Sequence, residues 1–174
     1  MESWRSGLAL QAVYGSVLGW QLAPQLRFIL TGSPPHLAYM QNLIALRMAA
    51  LDFLVHGRVM RPPQNVSIIA LEPGGFTTAH WCQETLSHDQ ENEPCCELDI
   101  VLTNVYMALN GSFALVLVNH GEHKVAYRAS VRLDHAEGSA SEVAVDVVMP
   151  AMRAQVLLLV PHAEDAELAS VEMK

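Results

Sequence analysis

Charge is the scarcest ingredient of this chain. Only 16% of its 174 residues are Asp, Glu, Lys or Arg, with 10 basic against 18 acidic side chains and a net charge of −8. Nonspecific binding to a phosphate backbone needs clustered Lys and Arg, so nucleic acid is excluded as a partner. Long apolar runs are missing too. Residues 8–30 are apolar only in patches, and Gly15, Gly19, Gln21, Pro24, Gln25 and Arg27 break them below the length of a membrane span. The start, Met1-Glu2-Ser3-Trp4-Arg5, lacks the positive n-region and clean apolar core of a secretory signal, which leaves a cytoplasmic protein or a truncated secreted one. Cysteine is sparse and odd in number. One disulfide from Cys82 to Cys95 or to Cys96 is open, and so are three reduced thiols. The sequons at Asn65 and Asn110 matter only in a secreted eukaryotic protein.

Site signatures are equally short. His120 and His123 supply two imidazoles where zinc needs three or four ligands, so a solvated turn is expected there. His80-Trp81-Cys82 with Cys95-Cys96 lacks the Cys-x-x-Cys pairs of a structural zinc site. Asp89, Glu91, Glu93, Glu97 and Asp99 miss the spacing of a calcium loop and read as a solvated acidic loop. In Gly15-Ser16-Val17-Leu18-Gly19 the serine sits one position early for a nucleophile elbow, and Gly74-Gly75 has no phosphate-loop lysine. No catalytic residue, metal or cofactor is assigned.

What the chain has is apolar mass, 51% of its residues, enough for a sizeable core. The organising stretch runs from Ser33 to Pro63. Ser33 is placed to cap a helix that Pro34 opens. Leu37, Met40, Ile44, Met48, Leu51 and Val55 step by threes and fours along one face, and Leu43, Leu46, Ala50, Phe53 and Leu54 widen it. A stripe that broad expects cover on more than one side. Gly57 is expected to end the helix in the left-handed conformation, with Pro62-Pro63 preventing its resumption. Upstream, residues 8–15 (Leu-Ala-Leu-Gln-Ala-Val-Tyr-Gly) read as a short buried strand ending at a glycine, and a short helix is expected around Pro24 to Leu30.

After Pro63 the period changes to two. Strands are expected over 65–71, 77–83, 98–109, 113–119, 124–133, 142–149 and 153–160. Asn110-Gly111 is the strongest hairpin signal, and His120-Gly121-Glu122-His123 makes a second turn. Val125, Tyr127, Ala129, Val131 and Leu133 alternate with polar neighbours, and Val143, Val145, Val147 and Met149 repeat the device. The expected fold is therefore α+β by content. It has a helical part at 1–63, an antiparallel β-sandwich at 64–163 and a flexible tail at 164–174.

Three motifs in order carry a resemblance. Residues 8–15 are similar to the Pro-Leu-Phe-Gln-x-Val-Tyr strand near the end of the catalytic barrel in large glycoside-hydrolase-like proteins of uncharacterised activity, with Leu8 and Leu10 in place of Pro and Phe. Residues 54–63 (Leu-Val-His-Gly-Arg-Val-Met-Arg-Pro-Pro) resemble the segment where the following helix leaves that barrel, and residues 114–119 resemble the central hairpin of the C-terminal sandwich. The resemblance covers roughly residues 8–160 and implies a remnant of a (β/α) barrel with one long helix, followed by the sandwich. A whole barrel needs about 200 residues, and glycoside hydrolysis normally needs two carboxylates. Only Glu2 precedes Ser33, and the helix adds only Asp52. The resemblance thus implies a non-catalytic C-terminal portion whose sandwich stabilises a catalytic barrel. The alternative is a free-standing sandwich that binds carbohydrate or protein. Tyr14 and Trp81 are the candidate carbohydrate-binding residues, and the apolar helix face is expected to meet the missing barrel region or to self-associate.

Overall fold

The computed structural model describes residues 3–16, 33–82, 95–135 and 138–160. The expected helix at 24–30, the acidic loop at 87–94 and the tail lie outside the described residues.

The first element overturns an expectation. Residues 8–13 belong to a helix, α1 (Ser3–Val13), and not to a barrel strand. Arg5, Leu8, Ala9, Ala12 and Val13 are all buried, and their spacing is that of one helical stripe. A short apolar run does not separate a buried strand from a buried helix by itself. Ala9 and Ala12 decide the packing, because their small side chains let the α1 backbone lie close to the sheet beneath. Gly15 follows in the left-handed region at φ 68, and a Cβ there would collide with the Leu54 carbonyl. No remnant of a (β/α) barrel is present among the described residues.

The organising helix is divided. α2 (Pro34–Ala49) starts with proline in its first turn, as expected. The Ser33 side chain makes no capping bond, and its carbonyl instead accepts from Leu37 N at 3.1 Å. Ala50, at φ −112 and ψ 25, breaks the helix before the single turn α3 (Leu51–Leu54). Gly57 is not left-handed. Glycine is needed there because a Cβ would strike the Phe53 carbonyl and press on that of Met107. The broad apolar stripe is covered on one side only, not on more than one as its width led us to expect. Tyr39, Leu43, Leu46, Ala50, Phe53 and Leu54 face inward, while Ile44, Met48, Leu51 and Val55 are exposed.

The strands are β1 (Arg58–Val59), β2 (Gln64–Ala70), β3 (Thr78–Cys82), β4 (Cys95–Asp99), β5 (Val101–Met107), β6 (Phe113–Asn119), β7 (Val125–Asp134), β8 (Ala140–Met149) and β9 (Arg153–Leu159). They form a four-stranded sheet in the order β1-β5-β6-β9, a three-stranded sheet β2-β7-β8 and a β3-β4 pair, with antiparallel pairing throughout. The strand expected over 98–109 is two strands. Ile100 interrupts it where the chain changes sheets, donating its N–H to Thr77 O and accepting from His120 N. The Asn110-Gly111 hairpin forms as expected, with Gly111 at φ 83 and Ala108 N donating to Ser112 O.

Three layers result. β6 is buried at all seven positions. Ala114, Val116 and Val118 pack against the helices, and Phe113, Leu115 and Leu117 pack into the sandwich interior with Val125, Tyr127, Val131, Leu133, Val145 and Met149. The four-stranded sheet thus has the helical layer on one face and the second sheet on the other. That cover explains why β6 reads as a continuous apolar run, while β7 and β8, wet on one side, alternate. On their wet face Arg128 pairs with Asp146 at 2.9 Å.

Candidate functional site

The densest polar chemistry lies where α1 meets the β6–β7 turn. β6 ends at Asn119, whose amide gathers four backbone groups. Its Nδ2 donates to the carbonyls of His123 at 2.9 Å, Pro150 at 2.9 Å and Met149 at 3.3 Å, and its Oδ1 accepts from Gly121 N at 2.9 Å. This clamp fixes His120, the next residue, against α1.

His120 is fully buried, contrary to the solvated turn expected. Its Nε2 lies 3.0 Å from the Asp99 carbonyl and its Nδ1 lies 3.2 Å from Ser6 Oγ. A carbonyl only accepts, so Nε2 carries the proton and Nδ1 accepts the Ser6 hydroxyl proton. Burial pushes the imidazole pKa below its ordinary value, the bond to Asp99 opposes that shift, and the nearby Arg5 charge adds to it. A serine donating to a histidine that a third group orients is the arrangement of an activated nucleophile. Here it is sealed: Ser6 and His120 both have zero exposure, so no substrate can reach Oγ. The arrangement works as a polar pin between helix and sheet.

Arg5 completes the cluster. Its side chain is 1% exposed, yet Nη2 reaches Glu122 Oε1 at 2.7 Å, and that carboxylate is 60% exposed. The Arg5 bond and charge hold Glu122 below the usual carboxylate range. Nη1 contacts Met152 Sδ at 3.5 Å, and the Arg5 carbonyl accepts from Tyr39 Oη at 3.3 Å, tying α1 to α2. Tyr106 Oη donates to Val13 O at 2.5 Å and fixes the other end of α1. None of Arg5, Ser6, Asn119 or His120 stood out as a group from sequence. Had residues 3–13 been read as a helix, Arg5 would have fallen on its apolar stripe and signalled a buried charge needing a partner.

The candidates named from sequence do not converge. Tyr14 follows α1 and is 62% exposed, beside Gly15 rather than at the end of a barrel strand. Trp81 sits on β3 opposite Cys96, and its side chain lies outside the described residues. His120 and His123 point to different partners, since His123 Nδ1 meets Glu72 Oε2 at 3.1 Å. Among the described residues no three His, Cys, Asp or Glu side chains are grouped to hold a metal. The β3–β4 register sets Cys82 directly across from Cys95, and Cys96 is an exposed free thiol. Among the described residues no helix is long and apolar enough to cross a membrane. Compared with known proteins, the chain matches no family model, no curated protein and no solved structure.

Proposed function

We propose that this chain is a non-catalytic support module, a β-sandwich that packs through its helical layer on a further protein body. One observation carries the reading: the second apolar face of α2 and α3, where Ile44, Met48, Leu51 and Val55 are exposed. Solvent contact at that face is a standing cost of several apolar side chains, and burying it against a partner removes the cost. The resemblance to glycoside-hydrolase-like proteins makes that body a catalytic barrel, with the chain as the C-terminal portion. The sealed Ser6–His120 pair supports assigning catalysis elsewhere. The purified chain is expected to hydrolyse no aryl-glycoside; turnover abolished by replacing a single carboxylate overturns the assignment.

A second reading, a carbohydrate-binding surface, is favoured by the exposure of Tyr14. Sugar rings stack on exposed aromatics, whereas Tyr106, Phe113 and Tyr127 are buried. On this reading a soluble polysaccharide retards the protein in a native gel, and Tyr14→Ala or Trp81→Ala removes the effect. No retardation across a glycan panel retires it.

A further inference from the structure

We infer that Asn110 is a self-modifying position: its side-chain amide closes onto the Gly111 nitrogen, sheds ammonia and leaves aspartyl and isoaspartyl links at the tip of the β5–β6 hairpin. Of the asparagines in this chain only Asn110 precedes a glycine. The ring closes when a backbone nitrogen reaches the side-chain carbon of the residue before it, and a side chain on the attacking residue crowds that approach. Gly111 has none, and no atom lies within 4 Å of where a Cβ would stand. Asn110, Gly111 and Ser112 are all exposed, so the water that takes the proton and later opens the ring can reach them.

The hairpin adds an activating contact. Asn110 Oδ1 accepts from Ser112 N at 3.0 Å and from Ser112 Oγ at 2.7 Å. Negative charge collects on that oxygen as Gly111 N attacks Cγ, and donors already aimed at a developing charge stabilise it without reorganising. Gly111 N gives its proton to water or hydroxide and bonds to Cγ. The Cγ–Nδ2 bond then breaks, and Nδ2 leaves as ammonia with a proton from solvent. Water hydrolyses the cyclic imide: cleavage of the new Cγ–N bond gives aspartate, and cleavage of the original peptide bond gives isoaspartate. No oxidant or cofactor takes part. One contact opposes the attack, because Gly111 N donates to Ala108 O at 2.9 Å and must first be released. A bond of that kind slows the reaction by about tenfold at most, and the two donors on Oδ1 both act in the other direction.

The isoaspartyl link lengthens the main chain of the loop. β5 and β6 pair without a slip from Met107 opposite Phe113 to Val101 opposite Asn119, and β6 is buried at all seven positions, so the longer loop strains the first rung. The full chain, held in heavy-oxygen water at mildly alkaline pH and mapped by peptide mass spectrometry, should take up label at Asn110, while Asn65, which precedes Val66, stays an amide. Ser112→Ala should slow conversion about three- to tenfold when folded, and should leave the rate in urea unchanged, where the hairpin is gone. Ser112→Thr keeps the hydroxyl and should react at the parent rate. Ser112 is exposed, so both variants should keep the parent melting curve. The isoaspartyl fraction, separated by chromatography, should melt below the parent, whereas Asn110→Asp should melt with it, since a carboxylate accepts the same two donations. An isoaspartyl fraction that melts with the parent removes the strain assigned to the first rung. An intact Asn110, or a folded Ser112→Ala variant that reacts as fast as the parent or faster, overturns the inference.

Discussion

A buried imidazole that must stay neutral makes stability depend on pH in a definite direction. His120 has a lowered pKa when folded, while in the unfolded chain it titrates near 6.5. Between those values the unfolded state binds more protons, so stability rises with pH across the window. The contribution is present above about pH 6.5 and is lost as the pH falls through the folded-state value. The groups facing His120 are the Ser6 hydroxyl, the Asp99 carbonyl and the Arg5 guanidinium, none of which takes up a proton in that range. Melting temperature should fall from pH 7 to pH 5, and His120→Gln should flatten that slope; parallel slopes would remove His120 as the cause. Glu122 acts in a separate, more acidic window, because its lowered pKa adds stability only above the ordinary carboxylate value. The Arg5–Glu122 pair also predicts an asymmetry between its partners. Glu122→Ala leaves a buried guanidinium without its counter-ion, a loss that water reaching the Glu122 side, which is 60% exposed, offsets only in part. Arg5→Met removes the charge together with the need for it and leaves Glu122 in solvent. Urea midpoints should therefore fall further for Glu122→Ala than for Arg5→Met, and the reverse order would show that Arg5 is held mainly by packing along its stem.

Among the elements, the joint between α1 and α3 has the least tolerance. Gly15 is left-handed and lies against the Leu54 carbonyl, while Arg47 binds the carbonyls of Gly15 and Ser16 from the side. Gly15→Ala should cost about 1–3 kcal/mol from the backbone conformation alone, more once the contact is relieved. Gly74→Ala is the control, since its φ is 77 and no atom lies within 4 Å of the added Cβ. Equal losses in the two variants would mean that the close approach at Gly15 contributes nothing. The same joint explains what could be read from sequence. β7 and β8 were legible because one wet face forces strict alternation, and the β5–β6 hairpin because Gly111 supplies the left-handed residue its loop needs. α1 was not legible. It is covered along its whole inner side, so its apolar residues crowd together and resemble a buried strand, and the glycine after it ends a helix as readily as a strand. The break at Ala50 leaves no mark either, because alanine is the best of helix formers and tertiary packing overrides it there. The polar pin was hidden for a different reason: Ser6 and His120 lie far apart in the chain, and only the fold brings them together.

For the molecule as a whole, the central question is whether the sandwich can exist without the helical layer. A binding module made of the sandwich alone requires that it can. The four-stranded sheet argues against it, because β6 is buried on both sides and its helix-facing residues Ala114, Val116 and Val118 sit in one core with Leu8, Leu43, Leu46 and Phe53. Removing residues 1–57 would bare that face and deprive Ala154 N of the Asn42 Oδ1 to which it now donates at 2.6 Å. It would also release His120 Nδ1 from Ser6 and Glu122 from Arg5. An apolar sheet face of this size in water costs about 25 cal/mol for each Å² exposed, a large fraction of the marginal stability of a domain. A fragment spanning residues 58–160 should therefore bind an apolar dye, lose its cooperative melting transition and associate without a defined stoichiometry. The full chain should melt in one transition, because helices and sheet share one core. If the fragment instead melts cooperatively as a monomer, the helical layer is an accessory to a self-sufficient sandwich.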